Sequence, residues 1–311
     1  MKRFLPYLSV LAAMMIWGGS GIAIKRALAD FAPIQLVTIR FTTGILLMLA
    51  VGLIVRRVQP KSGFALQAVS RTDFPLFLLA GFFQPFLYYI LETYGYRAIG
   101  SPTIAEVLLS TSPLFAPLFA FLLLRERVTL MNLVGIVVST GGVLLMVLAG
   151  NNTFSLGNPW GILLCFGAVF TAVMYTILLR KIPSRYNSLS IVFWVQLTSL
   201  LFFYPVWALT DGVGTVHTVL PDVTAGGWLS LAYLEALSSV AAFVCFCYSV
   251  RCIGVTRTNA FNNIRPVFTA LFMLCLFGER LPWLKVVGIA LVIAGLFICQ
   301  YQKKKLSLRA Q

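Results

Sequence analysis

Ten segments of this sequence are apolar for about twenty residues each, and they constrain the fold more than any other feature. A helix needs about 20 mostly apolar residues to cross a membrane, and in lipid a helix satisfies its own backbone hydrogen bonds. The segments are 5–25, 33–55, 74–96, 101–124, 129–149, 159–179, 189–209, 227–250, 257–277 and 282–301. Only 11% of the residues are charged, against about a quarter in a soluble domain. The sequence therefore predicts an all-α integral membrane protein with ten transmembrane helices.

The basic residues predict the orientation of these spans. With the amino terminus inside, seventeen Lys and Arg residues lie on the inner side and five on the outer side. Cytoplasmic loops carry an excess of Lys and Arg, so we expect both termini in the cytoplasm and a multi-pass protein of the bacterial inner membrane. The net charge of +15 then reflects topology and contact with anionic lipids, and we expect no nucleic-acid partner.

The two halves of the chain are repeats. The segment that begins at Ser112 resembles the one that begins at Arg265, so that at an offset of 153 residues Pro113 pairs with Pro266 and Glu126 with Glu279. We predict a first repeat over 5–149 and a second over 159–301, with five spans each. An odd number of spans inverts the second copy in the membrane, and inverted repeats are a recurring build of transporters that work by alternating access.

The first two spans contain "WGGSGIAIKRAL", and each half closes with a Glu-Arg turn, at Glu126-Arg127 and Glu279-Arg280. These features resemble EamA-type members of the drug/metabolite transporter superfamily over essentially the whole chain. The resemblance implies a central cavity lined mostly by the first, third, fourth, sixth, eighth and ninth spans, with the fifth and tenth peripheral. It also implies a secondary transporter, more often an exporter, of amino acids, amines, nucleotide-like metabolites or drugs.

The four residues Gly18 to Gly21 also fit the G-x-S-G pattern of some membrane serine nucleophiles. A serine nucleophile needs a general base, and the single histidine, His217, lies in a predicted loop. No metalloprotease or phosphate-binding-loop motif occurs, and the six cysteines show no C-x-x-C spacing. We therefore predict no enzyme, no metal site and no cofactor, and interpret the glycines as a surface where helices approach closely.

Charged residues inside the spans are candidates for the transport site. Glu92 lies on one helical stripe with Gln84 and Tyr88, and Glu106 heads a similar stripe with Ser110. The carboxylates of Glu92 and Glu106 are predicted either to pair with Arg40, to exchange protons, or to hold a cationic substrate.

Further candidates follow from position in the spans. They are Glu235, the polar residues Asn259, Asn263 and Arg265 of the ninth span, and the deep aromatic residues Trp17 and Tyr175. The alternative for Glu235 is a local hydrogen bond to Ser238 or Ser239, about one helical turn away. An aromatic wall beside a carboxylate suits an organic ammonium. Pro113 and Pro266 are predicted to act either as hinges or as static kinks.

Together these features predict a carrier that moves a small metabolite, such as an amino acid, an amine or a drug-like compound, by alternating access. We expect an exporter, with protons as a candidate coupling ion. An importer or exchanger for a cationic or amine metabolite is the nearest alternative, and a membrane enzyme or a channel the next. Membrane lipids and a small-molecule substrate are the expected partners, and the chain is compatible with a monomer or a homodimer.

Overall fold

The computed structural model describes residues 4–58, 65–99, 108–109, 111–148, 158–210, 223–277 and 282–300. Within these residues the chain is helical and contains no β-strand. Seven helical segments of the described part are long and apolar enough to cross a membrane, and two further apolar helices are shorter. The fold is therefore that of a multi-pass membrane protein, as the apolar segments predict.

The first half of the chain forms six α-helices in the described residues. They are α1 (Leu5–Ala27), α2 (Pro33–Val58), α3 (Phe74–Gly81), α4 (Tyr88–Ile99), α5 (Ser112–Leu124) and α6 (Leu130–Leu148). A π-helical segment, Phe82–Leu87, joins α3 to α4. The predicted fourth span is described only over its second part, as α5.

The described residues of the second half form seven α-helices. They are α7 (Pro159–Lys181), α8 (Ser188–Thr210), α9 (Ala225–Ala232), α10 (Ala242–Ile253), α11 (Val255–Ala260), α12 (Arg265–Phe277) and α13 (Trp283–Gln300). A second π-helical segment, Tyr233–Ala241, joins α9 to α10, and a short 3₁₀ segment, Phe261–Ile264, joins α11 to α12.

Local chemistry explains several helix ends. Asn158 caps α7 by accepting a hydrogen bond from the Trp160 amide, with a proline directly after it, and Arg180 and Lys181 favour its carboxyl end. Thr224 caps α9 by accepting from the amide of Gly227. Such caps satisfy backbone donors that have no partner within the helix.

In the part of the chain that the structure describes, three of the predicted spans are interrupted. The third span breaks at Gln84, whose backbone is extended (φ −153°, ψ 126°), beside the cis peptide between Gln84 and Pro85. The eighth span carries its π-helical segment at the equivalent place in the second repeat. Tyr94 and Arg97 match Tyr248 and Arg251 at an offset of 154 residues, so Phe82 corresponds to Ala236. The ninth is interrupted at Phe261–Ile264. Pro113 and Pro266 each lie at the second residue of a helix, α5 and α12, a position that tolerates proline.

Helices of the first half pack on helices of the second half. Helix α1 contacts α10 and α12, α2 contacts α8, α4 contacts α7, and α5 contacts α11. One continuous apolar core runs through these pairs, with Met14, Phe41, Phe77, Tyr175 and Phe243 among its fully buried side chains.

Helices α6 and α13 pack along each other through glycines. A Cβ atom built on Gly142 would lie 2.6 Å from the carbonyl oxygen of Gly288, and one built on Gly288 would lie 2.7 Å from the carbonyl oxygen of Gly142. Gly135 and Gly295 face each other in the same way. Because the number of the contacted residue falls along α13 as it rises along α6, the two helices run antiparallel.

Candidate functional site

Trp17 of α1 is held against the eighth span. Its indole N–H donates a hydrogen bond of 3.1 Å to the carbonyl oxygen of Ser238. Its ring lies 5.3 Å from the rings of both Phe243 and Phe246, which α10 supplies. Trp17 thus marks the junction of α1 with the π-helical part of the eighth span.

Glycines next to Trp17 allow this junction to be close. A Cβ atom on Gly18 would lie 2.6 Å from Cβ of Phe268 in α12, and one on Gly19 would lie 2.7 Å from the Tyr233 hydroxyl. The hydroxyl of Ser20 donates to the carbonyl oxygen of Trp17 at 2.7 Å. The predicted surface of close approach is therefore confirmed at Gly18 and Gly19, whereas Gly21 has no atom within 4 Å of its Cβ position.

Arg40 of α2 is buried, with 3% of its surface exposed. Its Nε donates to the Ser239 hydroxyl at 2.5 Å, and its Nη2 donates to the Ser238 hydroxyl at 2.9 Å and to the Tyr89 hydroxyl at 3.4 Å. Its guanidinium carbon lies 5.0 Å from the centre of the Tyr89 ring, a cation–π distance. Two serines of the eighth span and one tyrosine of α4 are therefore hydrogen-bond partners of this buried guanidinium.

Glu92 and Tyr88 form the acidic part of the site on α4. The Tyr88 hydroxyl donates to Oε1 of Glu92 at 2.8 Å, and both side chains are buried, with 7% exposed. The two residues are four apart on one helix, which places them on the same face. The Tyr88 ring meets the Tyr89 ring nearly at a right angle, with centres 5.2 Å apart.

Arg265 enters the same region from α12. Its guanidinium carbon lies 6.0 Å from the centre of the Trp17 ring, and it is within electrostatic range of both Tyr88 and Tyr89. The 3₁₀ segment before α12 positions Arg265 as the first residue of a new helix.

Tyr175 of α7 adjoins the same group through Phe243, which also contacts Trp17. Its ring lies 6.2 Å from that of Phe243, and 1% of the residue is exposed. Its hydroxyl has no hydrogen-bond partner in the part of the chain that the structure describes. We call the following set the central cluster: Trp17, Arg40, Tyr88, Tyr89, Glu92, Tyr175 and Arg265.

Other predicted site residues lie outside the central cluster. Asn263 donates to the hydroxyls of Ser139 at 2.7 Å and Thr140 at 3.1 Å, both on α6. Asn259 donates back to the carbonyl oxygen of Val255 at 3.0 Å. Asn259 lies in α11 and Asn263 in the 3₁₀ segment, and these hydrogen bonds are made with α11 and α6 rather than with the central cluster.

Glu235 is half-buried in the π-helical segment of the eighth span. Ser238 and Ser239 are the serines predicted as its alternative hydrogen-bond partners. Their hydroxyl groups accept hydrogen bonds from Arg40. Gln84 is half-buried at the break of the third span. Glu106 and Ser110 lie outside the described residues.

The contacts of Ser238 and Ser239 with Arg40 were not predicted from the sequence. Ser238 holds Arg40 through its hydroxyl and Trp17 through its carbonyl oxygen, so one residue joins α1, α2 and the eighth span. Gln196 of α8 also donates to the carbonyl oxygen of Ser239. Two adjacent serines in an apolar span were the available signal.

A second polar network lies between helices, before α3 and before α8. Asp73 accepts hydrogen bonds from Tyr186 at 2.7 Å and Ser70 at 2.9 Å, and forms an ion pair with Arg185. The hydrogen bond from Tyr186 lowers the pKa of Asp73 below its ordinary value, and Ser70 and Arg185 act in the same direction against partial burial. The described residues include no group of three or more His, Cys, Asp or Glu placed to hold a metal ion.

Comparison with known proteins gives one family and several relatives. The model of the EamA-like transporter family matches residues 4–148 and, separately, residues 159–300. An uncharacterized transporter of Bacillus subtilis, YetK, is 27% identical over 98% of this chain and 89% of its own length. An uncharacterized transporter of Archaeoglobus fulgidus is 27% identical over 94% of this chain and 96% of its own.

A protein of Streptantibioticus cattleyicolor that is named a probable terminal-alkyne amino-acid exporter is 25% identical over 93% of this chain and 91% of its own. Among solved structures, one crystal structure superposes with a TM-score of 0.77 at 18% identity, and covers 95% of this chain and 96% of the other. At that identity the likeness concerns the fold alone.

Proposed function

This chain belongs to the EamA-like transporter family, and we propose from that premise that it exports a small zwitterionic or cationic metabolite by alternating access. The central cluster carries the proposal. It gathers two guanidinium groups, one carboxylate and several aromatic rings. Arg40 and Glu92 are buried in the apolar core, and Arg265 and Trp17 are half-buried at its edge. Charged side chains within spans are costly and mark substrate or ion pathways.

The interrupted spans support the same location. The third, eighth and ninth spans all change helix type beside the cluster, at Phe82–Leu87, Tyr233–Ala241 and Phe261–Ile264. Transporters bind substrates and coupling ions near the membrane midplane where helices are discontinuous. Irregular backbone of this kind is tolerated in a membrane where it is buried in protein or lines a cavity.

We further propose ten spans in two inverted repeats, 5–149 and 159–301. The contacts between the two halves support this arrangement, because each half makes the same contact with the other. Helix α1, the first span of the first half, packs on the eighth span, and α7, the first span of the second half, packs on the third. The antiparallel pair α6 and α13 also exchanges its equivalent glycines, with Gly135 facing Gly295 and Gly142 facing Gly288. Both termini then lie in the cytoplasm, and the location is the bacterial inner membrane.

Glu92 is the proposed proton site and Arg40 and Arg265 the proposed partners of a substrate anion. Glu92 is a buried carboxyl group within a span, and ionisable residues at such positions mark proton and ion pathways. The presence of both signs of charge favours a substrate that carries an ammonium and a carboxylate group. The S. cattleyicolor relative, named for amino-acid export, supports amino acids as the first substrates to test.

The test uses purified protein in liposomes and counterflow of radiolabelled amino acids at several pH values. We expect the wild-type protein to show saturable uptake that depends on pH. We expect uptake by the Glu92→Gln variant to depend little on pH. Glu235→Gln is the matched control, since Glu235 is also an acidic residue of a span but lies outside the central cluster. Flux that rises without saturation would favour a channel, and an unaltered pH profile in Glu92→Gln would exclude Glu92 as the proton site.

A further inference from the structure

The carboxylate of Glu126 holds the start of α11. Glu126 lies just after α5, and its Oε1 accepts a hydrogen bond of 3.0 Å from the amide of Val255. Its Oε2 accepts from the amide of Thr256 at 3.4 Å and from the Thr256 hydroxyl at 3.3 Å. One side chain from the end of the predicted fourth span therefore caps the first helix of the predicted ninth span.

The backbone after α5 directs Glu126 toward this target. Arg125 adopts a left-handed conformation (φ 54°), and the amide of Glu126 donates back to the carbonyl oxygen of Ala120 at 3.2 Å. The amide of Arg125 donates to the carbonyl oxygen of Phe121 at 3.0 Å, which is the αL pattern of a helix end. Because the turn is hydrogen-bonded, Glu126 leaves the helix in a defined direction.

Gly254 makes room for the carboxylate. Its φ of +88° lies in the region that favours glycine, and a Cβ atom there would lie 2.9 Å from Oε1 of Glu126. Gly254 ends α10, so the same residue separates the eighth span from the ninth. The carboxylate thus reaches the backbone where two spans of the second half meet.

We propose that Glu126 is the latch of a gate at the face predicted to be cytoplasmic, and that its release is required for the transport pathway to open to that face. The inference rests on the proposed alternating access. It assigns a role to the Glu-Arg turn, which the central cluster does not involve.

The position of the latch connects it to the site. Helix α11 continues through Phe261–Ile264 into α12, which begins at Arg265. A movement of α11 away from α5 therefore acts on the segment that supports a member of the central cluster. The carboxylate is half-buried, so water can solvate it when the contact opens, and a hydrogen bond to a charged group is strong enough to hold the closed state.

The test measures access to a site behind the latch. Thr258 is fully buried one turn into α11, and a Thr258→Cys variant reports the opening of this gap through its rate of alkylation by N-ethylmaleimide in detergent solution. Peptide mass spectrometry reads position 258 separately from the six native cysteines. We expect Glu126→Gln to raise the alkylation rate about tenfold, equivalent to about 1.4 kcal/mol.

Asp30→Asn is the matched control. Asp30 accepts hydrogen bonds from the amide and hydroxyl of Thr224 at 3.2 and 2.6 Å, so it is also a carboxylate at the start of a helix, at the predicted outer face. We expect this variant to leave alkylation at position 258 unchanged. An equal rise in both variants, or no rise in Glu126→Gln, overturns the latch.

Two further measurements make the result decisive. The buried Cys165 must stay unmodified, which shows that the protein is folded. If Glu126→Gln unfolds the protein, the Glu126→Asp variant replaces it and must show a smaller rise in the alkylation rate at position 258. The absence of that rise overturns the latch. Counterflow by the wild-type protein is measured in parallel. Absence of saturable wild-type transport overturns the proposed function, whereas normal transport with unchanged alkylation overturns the latch alone.

Discussion

Replacing Gly18 by alanine tests whether the contact of α1 with the ninth span depends on the missing side chain. The added Cβ would lie 2.6 Å from Cβ of Phe268 and 3.0 Å from the carbonyl oxygen of Arg265. Neither atom is at the end of a flexible side chain, so relief requires that α1 and α12 move apart. Gly21, one turn later on α1, has nothing within 4 Å of its Cβ position, and Gly21→Ala is the matched control.

The two variants share one energetic effect and differ in the other. Alanine in place of glycine within a helix stabilises by about 0.5–1 kcal/mol, and this gain applies to both positions. Overpacking of a well-packed contact costs about 1–3 kcal/mol, and this cost applies to Gly18 alone. We therefore expect Gly18→Ala to be less stable than Gly21→Ala by about 1–3 kcal/mol, which corresponds to about 2–6 °C in apparent Tm.

The assay is thermal unfolding of the purified protein in one detergent, followed by the exposure of its buried cysteines. Wild type, Gly18→Ala and Gly21→Ala are compared, and transport is measured in liposomes below the unfolding range. We expect Gly18→Ala to transport poorly, because the contact bears directly on Arg265. Equal apparent Tm values for the two variants would refute the argument from close packing.

Three other predictions follow from backbone and loop geometry. Arg125→Gly is expected to raise the apparent Tm, because a left-handed conformation costs a residue with a side chain about 1 kcal/mol. A fall in the apparent Tm would show that contacts of the Arg125 side chain stabilise the protein by more than this cost. Gly142→Val is expected to lower the apparent Tm, while Gly141→Val, with nothing within 4 Å of its Cβ position, serves as control and is expected to change it little. Asp73→Asn is expected to destabilise at neutral pH and less in acid. The pKa of Asp73 is lowered in the folded protein from an ordinary 3.8, with the Tyr186 hydrogen bond as the largest cause, so its stabilising contribution is present above about pH 4 and disappears as the pH falls through the lower folded value. The difference in apparent Tm between Asp73→Asn and wild type, measured from pH 7 to pH 3, checks this, and a difference that does not shrink in acid would contradict it.

Helix positions were predictable because backbone N–H and C=O groups in lipid must form hydrogen bonds within the protein. The apolar segments 159–179 and 189–209 correspond to helices Pro159–Lys181 and Ser188–Thr210, with ends shifted by two residues or fewer. A helix is the structure that satisfies its own backbone groups in a membrane, so composition alone predicts it. The interruptions were less predictable: Pro85 signals the break in the third span, whereas the residues of Tyr233–Ala241 include no proline or glycine.

Local contacts of the site were predictable and distant ones were not. The bond between Tyr88 and Glu92 follows from their spacing on one helix. The partners of Arg40 follow from no spacing, since Ser238 and Ser239 lie 198 and 199 residues away and the relative position of two helices depends on the packing of all their side chains. Asn263 turned toward α6 for a related reason, because the 3₁₀ segment changes the direction in which the ninth span presents its side chains.

The π-helical segment of the eighth span also affects how mutagenesis of this protein should be interpreted. A helical wheel drawn with 3.6 residues per turn assumes one continuous spiral, but the wider turns of Tyr233–Ala241 shift every later residue around the axis. Residues of α9 and α10 that share a stripe on such a wheel therefore face different surroundings. A scan of this span will show two separate patterns of tolerance, one before and one after the bulge, and each requires its own wheel.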